Sequence, residues 1–274
     1  MWSIRVACLV IGVAGLAGCA TAPSLQGARP MSSQNQKYGL AKNESITKTD
    51  HMTQPLNEGQ SIFYFQNQGG GGVGLGLLLG PLGVAANMKM IENVTMGDVE
   101  KIKGKITLNP EAELQQAASS TNFPLQPSGA QSDIKVTPFA FISKTNETTV
   151  HVSSVILFEG QDEQKKWARR YQYQLPGMYT LDELSAFSEA KTSELQIASI
   201  AAYKALLTYI AGEKDEAIAQ EPKITYNSLY ISPRFDFEMM GSLVMEKEGR
   251  VWIRTVSGVI AVDPSDIKYQ VAKN

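Results

Sequence analysis

The chain changes hydrophobic period several times, and each change marks an element. An unbroken apolar run, Val6 to Ala17, follows one positive charge at Arg5. That run is too short to cross a bilayer, which takes about 20 apolar residues. From Ala20 to about Pro55 the chain is polar, rich in Ser, Gln, Lys and Thr, with Pro23 and Pro30 and no sustained period. This composition predicts a flexible tether, with a weak strand signal between Tyr38 and Ile46. Gln60-Ser-Ile-Phe-Tyr-Phe65 then reads as a strand buried on both faces.

No charge occurs from Gly59 to Met88, and Gly69 to Ala86 reads GGGGVGLGLLLGPLGVAA. Gly72, Gly76 and Gly80 recur at every fourth position, with Leu77, Leu78 and Leu79 between them. Small residues at that spacing allow close helix approach in lipid, so one reading is a self-associating or membrane-contacting zipper. A second is an apolar loop packed on the domain or an oligomer partner, and a third is a flexible insert. A phosphate-binding loop does not fit, because Pro81 stands where the Lys and Ser or Thr of that motif belong. A continuous helix is disfavoured by about 1 kcal/mol per glycine and about 3 kcal/mol for an interior proline.

Helix resumes near Val84 or Asn87 and runs to about Lys105, with Met88, Ile91, Val94, Val99 and Ile102 as its stripe. Asn109-Pro110-Glu111 predicts a second helix, cap then first-turn proline then acid, ending near Ser119. Three strand patterns follow, Ile134 to Ser143, Thr148 to Glu159 and Lys165 to Leu175, joined by turn-forming Lys144–Glu147 and Gly160–Glu163. Val150, Val152, Ile156 and Phe158 share one face, as do Trp167, Tyr171, Tyr173 and Leu175, giving an antiparallel meander. Arg169 falls on the aromatic parity and is expected to stack on a ring or reach an acid. Thr180-Leu-Asp-Glu183 is a capping box that opens one long helix to about Gly212, with a wide apolar face for the sheet. After an acidic linker, 213–222, the stretches Lys223 to Ile231, Ser242 to Lys247, Arg250 to Val256 and Val259 to Val262 alternate as strands. The predicted fold is therefore α+β. A mixed sheet with an antiparallel meander is packed by a long helix in a domain over 56–212, and a small β-rich unit follows over 223–274.

Leu16-Ala17-Gly18-Cys19 closes the first apolar run, and with Arg5 it resembles the signal of bacterial lipoproteins. The resemblance implies a signal peptide over 1–18, cleavage between Gly18 and Cys19, acylation of Cys19, and a tether over 19–55. Ala20 after the cysteine implies sorting to the outer membrane, with the domain on the periplasmic side. Cys8 is the one other cysteine and leaves with the signal, so disulfides and a thiolate mechanism are excluded for the processed chain. With 25 basic and 27 acidic residues, net −2, no basic excess exists to bind nucleic acid.

Catalytic signatures are sparse. His51 and His151 are the only histidines; His51 lies in the tether, and alternation puts His151 on the solvent side of its strand. No zinc-ligand spacing, Gly-x-Ser-x-Gly elbow or cofactor motif occurs. Acid pairs such as Asp162 and Glu163, Asp182 and Glu183, or Asp215 and Glu216 fall in turns, caps and linker as solvated charges. The element order behind the lipobox resembles periplasmic lipoproteins with a TolB N-terminal or CsgG-like α+β domain, including the LpoB-type activators of peptidoglycan synthases, over about residues 56 to 212. The Gly80-Pro-Leu-Gly83 stretch and the Trp167-Ala-Arg-Arg-Tyr-Gln-Tyr173 strand are similar to those of other proteobacterial lipoproteins, while the β-rich tail departs from the activator pattern. The expected function is a non-catalytic lipoprotein, anchored through Cys19, that binds an envelope protein or peptidoglycan-associated partner. The alternatives are a homo-oligomeric export or pore component using the glycine segment, and an envelope hydrolase.

Overall fold

A computed structural model describes residues 25–28, 36–42, 53–66, 93–162, 165–233 and 237–272. In its first half lie β1 (Tyr38–Leu40), β2 (Thr53–Pro55), β3 (Ile62–Gln66), a helix α1 over 93–102, α2 (Pro110–Thr121) and β4 (Leu125–Gln126). The meander follows as β5 (Ile134–Lys144), β6 (Val150–Asp162) and β7 (Lys165–Gln174), then α3 (Leu181–Ser185), α4 (Glu189–Gly212) and α5 (Asp215–Ala219). The tail holds β8 (Lys223–Asn227), β9 (Met239–Lys247), β10 (Arg250–Thr255), β11 (Gly258–Val262) and β12 (Lys268–Val271). These strands join in one mixed sheet, ordered β12-β8-β9-β10-β11-β7-β6-β5-β1-β4, with β3 also on β5 and β2 on β3. The α+β architecture, with its long helix, is as the periodicity predicts.

β5, β6 and β7 pair antiparallel in the predicted register, and Val150, Val152, Ile156 and Phe158 are fully buried on the helix side. One edge of β5 is shared by two short parallel strands, β1 beside Ile134 to Val136 and β3 beside Ala140 to Lys144. Pro138 sits at the gap between them. Since the Ala140 amide donates toward the β3 side, the N–H that Pro138 lacks would have pointed at that gap, where no ladder bond is lost.

The helices cover one face. Leu206, Leu207, Ile210 and Tyr203 of α4 pack with Leu114 and Ala117 of α2 against Ile156, Phe158 and Tyr171. α4 is long and apolar enough, by length and composition, to cross a membrane, but this packing accounts for its buried stripe. Each fully buried Leu or Ile there contributes about 1.5–3 kcal/mol. α2 starts as predicted, with the Asn109 side chain accepting from the Ala112 amide. The capping box at Thr180 is also present, but it opens only α3. The single long helix expected from Thr180 is two helices, because Ser188 caps a fresh start by accepting from the Lys191 amide, and Phe187 turns aside onto Tyr179.

Three further expectations are corrected. The stretch read as tether contributes β1, between β5 and β4, β2, on the edge of β3, and the segment 25–28 to the fold, since polar composition does not prevent short strands from pairing with a strong neighbour. The stretch read as an acidic linker contains α5, and Glu213 and Glu221 on either side of that helix are inward ligands of Arg254. The C-terminal strands form no separate sheet, because β11 lies parallel against β7, with Val259 to Ala261 beside Tyr171 to Tyr173. That approach requires Gly258: φ is +143°, and a Cβ there would stand 2.3 Å from the Arg170 carbonyl oxygen.

Arg254 is the largest fully buried side chain. Its Nε and Nη2 donate to Glu221, Nη2 also to Glu213 Oε1 at 2.9 Å and Tyr209 Oη at 2.7 Å, and Nη1 to the Gln26 carbonyl at 2.9 Å. Tyr171 donates to Glu213 Oε2 and Ser242 to Glu221 Oε2. Burial pulls the guanidinium pKa down, but the Glu221 hydrogen bonds and the charge of Glu213 outweigh it, leaving Arg254 more firmly protonated than free arginine. Burial beside Glu213 raises the Tyr209 hydroxyl well above its ordinary value, so it stays neutral.

Replacing Arg254 by Ala should cost about 3–5 kcal/mol of unfolding free energy in a urea titration, since two carboxylates are left buried without their cation. Gly258→Ala should cost at least about 1–3 kcal/mol in the same titration, and hydrogen exchange should rise at the β7–β11 junction and not at β5–β6.

Candidate functional site

Gly18 and Cys19 lie outside the described residues, as do Gly72, Gly76, Gly80, Leu77, Leu78, Leu79 and His51. The chain on either side of 67–92 is described, and it is pinned together. Gln66 at the end of β3 donates to Thr95 of α1 at 3.1 Å, and Tyr64 donates to Asp98, which also holds Lys144 at 2.9 Å. The described residues that flank 67–92 thus share one buried polar base. Val99 and Ile102 of α1 pack beside Ile62 and Tyr64 as predicted, whereas Val94 of the same predicted stripe is exposed, and Met88 and Ile91 lie outside the described residues.

The face of β6 and β7 away from the helices carries a polar cluster. Beyond β11 and β12 the sheet curls, so that Tyr230 and Asp266 lie over this face. Tyr230 Oη is 2.8 Å from Ser153 Oγ and accepts from Gln172 Nε2, while Gln172 Oε1 accepts from Arg170 at 2.7 Å. Burial raises the Tyr230 hydroxyl to about 12 against the partial relief of these bonds. Arg170 leans on the rings of Phe139 and Phe141, whereas Arg169 meets neither a ring nor an acid among the described residues and donates to the carbonyls of Ala28 and Ala168. The segment 25–28 takes the place of the expected partner.

His151 is 2 % exposed, contrary to its reading as a solvent-side residue. The face opposite the valines is covered by the curled C-terminal strands, which no local pattern in β6 reports. Gln174 Nε2 lies 3.0 Å from His151 Nδ1 and donates to Asp266 Oδ2, and Gln174 Oε1 accepts from the Asp263 amide. With both partners of that amide nitrogen acting as acceptors, Nδ1 is unprotonated and the ring is neutral. Burial lowers the His151 pKa, opposed by the charges of Asp266 and Asp263. Ser143 stands directly across from His151, and its hydroxyl has no hydrogen-bond partner among the described residues. Serine, histidine and aspartate therefore share a face, but they form no relay. Asp266 Oδ2 is 3.8 Å from Nδ1, and Gln174 stands as the nearer partner. Among the described residues no group of three or more His, Cys, Asp or Glu is placed to hold a metal ion.

A different surface is open. α4 stops at Gly212 and α5 buries none of its residues; the helix-side core takes in Val244 and Met245 of β9 but leaves Met240, near the start of that strand, exposed. There a groove of about 630 Å³ is lined by Leu25, Ile224, Tyr226, Phe237, Met240 and Val256, with Lys223 and Glu238 at its rim. Met240, Val256 and Phe237 are 67 %, 54 % and 51 % exposed. Leu25 is held there through its neighbour: Gln26 bonds Thr255 and Arg170 by backbone and side chain and offers its carbonyl to Arg254. Periodicity missed this site. Phe237 precedes β9, Met240 is its second residue, and Leu25 falls in the stretch read as tether; their spacing in sequence gives no sign that they meet.

Histidine that is neutral when folded binds protons more readily when unfolded, so its contribution to stability is intact above the unfolded pKa near 6.5 and is lost as pH falls below it. His151→Gln should therefore flatten the stability loss between about pH 7.5 and about pH 5, measured by urea titration at each pH. An unchanged slope would place the acid sensitivity elsewhere. No protein-family model, curated protein or solved structure matches this chain.

Proposed function

We propose that this chain is an outer-membrane lipoprotein, anchored by acyl chains on Cys19, whose periplasmic domain works by contact with an envelope partner and not by catalysis. The observation that supports it is where the ionisable groups go. Arg254 with Glu213 and Glu221, Lys144 with Asp98, and His151 with Gln174 are closed into internal networks that join elements, while the open groove is lined mainly by apolar side chains, with Lys223, Thr225 and Glu238 among them. Catalysis of hydrolysis needs the reverse arrangement, with polarised groups aimed into a cavity that admits substrate. The lipobox supplies the address: two or more acyl chains hold a protein at a membrane, where a single one binds marginally.

Cys19→Ser should abolish labelling by radioactive palmitate and move the protein from the membrane to the soluble fraction. A variant that stays acyl-labelled and membrane-bound overturns the anchor. Incubated with peptidoglycan sacculi and a panel of ester substrates, the purified protein should release nothing. Turnover that Ser143→Ala or His151→Gln abolishes would replace this reading by an envelope hydrolase.

A further inference from the structure

We infer that the groove of Leu25, Phe237, Met240 and Val256 is a lipid-contacting face that seats the domain on the leaflet holding the Cys19 anchor. The inference rests on the anchor reading above and adds an orientation to it. A freely tethered domain would tumble about its lipid; this one would lie with the β8–β9 end against the membrane.

Three observations carry it. The first is the patch itself: three large apolar side chains, each more than half exposed, line one groove beside the start of β9. Contiguous exposed apolar surface of this kind marks a contact site. The second is distance along the chain. Leu25 is a wall of the groove, and it follows Cys19 by only six positions, a fully extended reach of about 20 Å. Because Gln26 is tied into the fold by Thr255, Arg170 and Arg254, slack beyond that point is removed. An acylated Cys19 therefore brings the bilayer within a few side-chain lengths of the groove, at an effective concentration that no diffusing partner matches. The third is chemistry. Methionine and phenylalanine suit disordered acyl chains: thioether side chains adapt their shape, and no buried polar group asks for a specific partner. Lys223 at the rim is placed to meet anionic headgroups, with Glu238 opposing it.

The test reads orientation, since the anchor alone already secures binding. Acylated protein carrying Phe237→Trp is reconstituted into phosphatidylethanolamine–phosphatidylglycerol vesicles with brominated acyl chains. Ile197→Trp, at a 69 % exposed position on α4, serves as the control, and the unsubstituted protein gives the Trp167 and Trp252 background. Seating the groove at the depth of an interfacial helix should quench the added tryptophan of Phe237→Trp on the order of twofold more than that of Ile197→Trp. Equal quenching of the two in protein that co-floats with vesicles overturns the seating and leaves the anchor standing. Protein that fails to co-float and lacks the lipid mass on Cys19 overturns the anchor, and the lipid occupant with it. If sedimentation in detergent shows a dimer that Met240→Asp dissolves, the groove belongs to a second copy and the lipid assignment is wrong.

Discussion

One buried guanidinium organises this molecule. Arg254 lies on a strand of the tail and holds a carboxylate just after the long helix, another just before the tail, a tyrosine on that helix and a carbonyl near the N-terminus. Taking these charges out of water is costly, and their mutual attraction offsets that cost only because each of the three guanidinium nitrogens is hydrogen-bonded. The result is specificity more than stability. Four segments remote in sequence have one arrangement that leaves no charge unpaired, which makes the helix end, the linker and the last sheet strands a single unit.

The groove is a consequence of that unit. Arg254 and Ser242 face the same side as the helices, and the carboxylates that serve them are supplied from beyond the end of α4. The charged plug lies beyond the last turn of α4, and Leu25, carried in beside Gln26, becomes one wall of the groove next to it. On the opposite face Tyr230, after β8, and Asp266, between β11 and β12, lie over β6 and β7, and the polar side chains beneath are largely satisfied by each other, with Ser143 Oγ and Arg170 Nε the exceptions among the described residues. A pocket lined in part by Ser228, Ser265 and Asp266 opens on that side, whereas the groove at Met240 is lined mainly by apolar side chains.

Much of the fold was legible from local pattern. The meander, the Asn109 and Thr180 caps and the strand at Ile62 were readable because each signal is carried by residues close in sequence whose periodicity or capping geometry is decided locally. Errors fall where a residue's partner is distant. Glu213 and Glu221 read only as the ends of an acidic linker until Arg254 is brought to them. His151 read as exposed until the tail curled over it. Arg169 sought an acid and found the Ala28 carbonyl.

The amino-acid order by itself determined the α+β class, the strands of the meander and the helix caps, all of which depend on spacing over a few residues. Only the tertiary structure decided that the tail extends the main sheet, that part of the supposed tether is an edge of it, and that Leu25 meets Phe237 and Met240. Those outcomes follow from pairing energies between segments up to 228 positions apart, as in the Arg254 to Gln26 bond. Nothing in either segment alone encodes such a pairing; it is fixed by the requirement that buried charges and strand edges find partners.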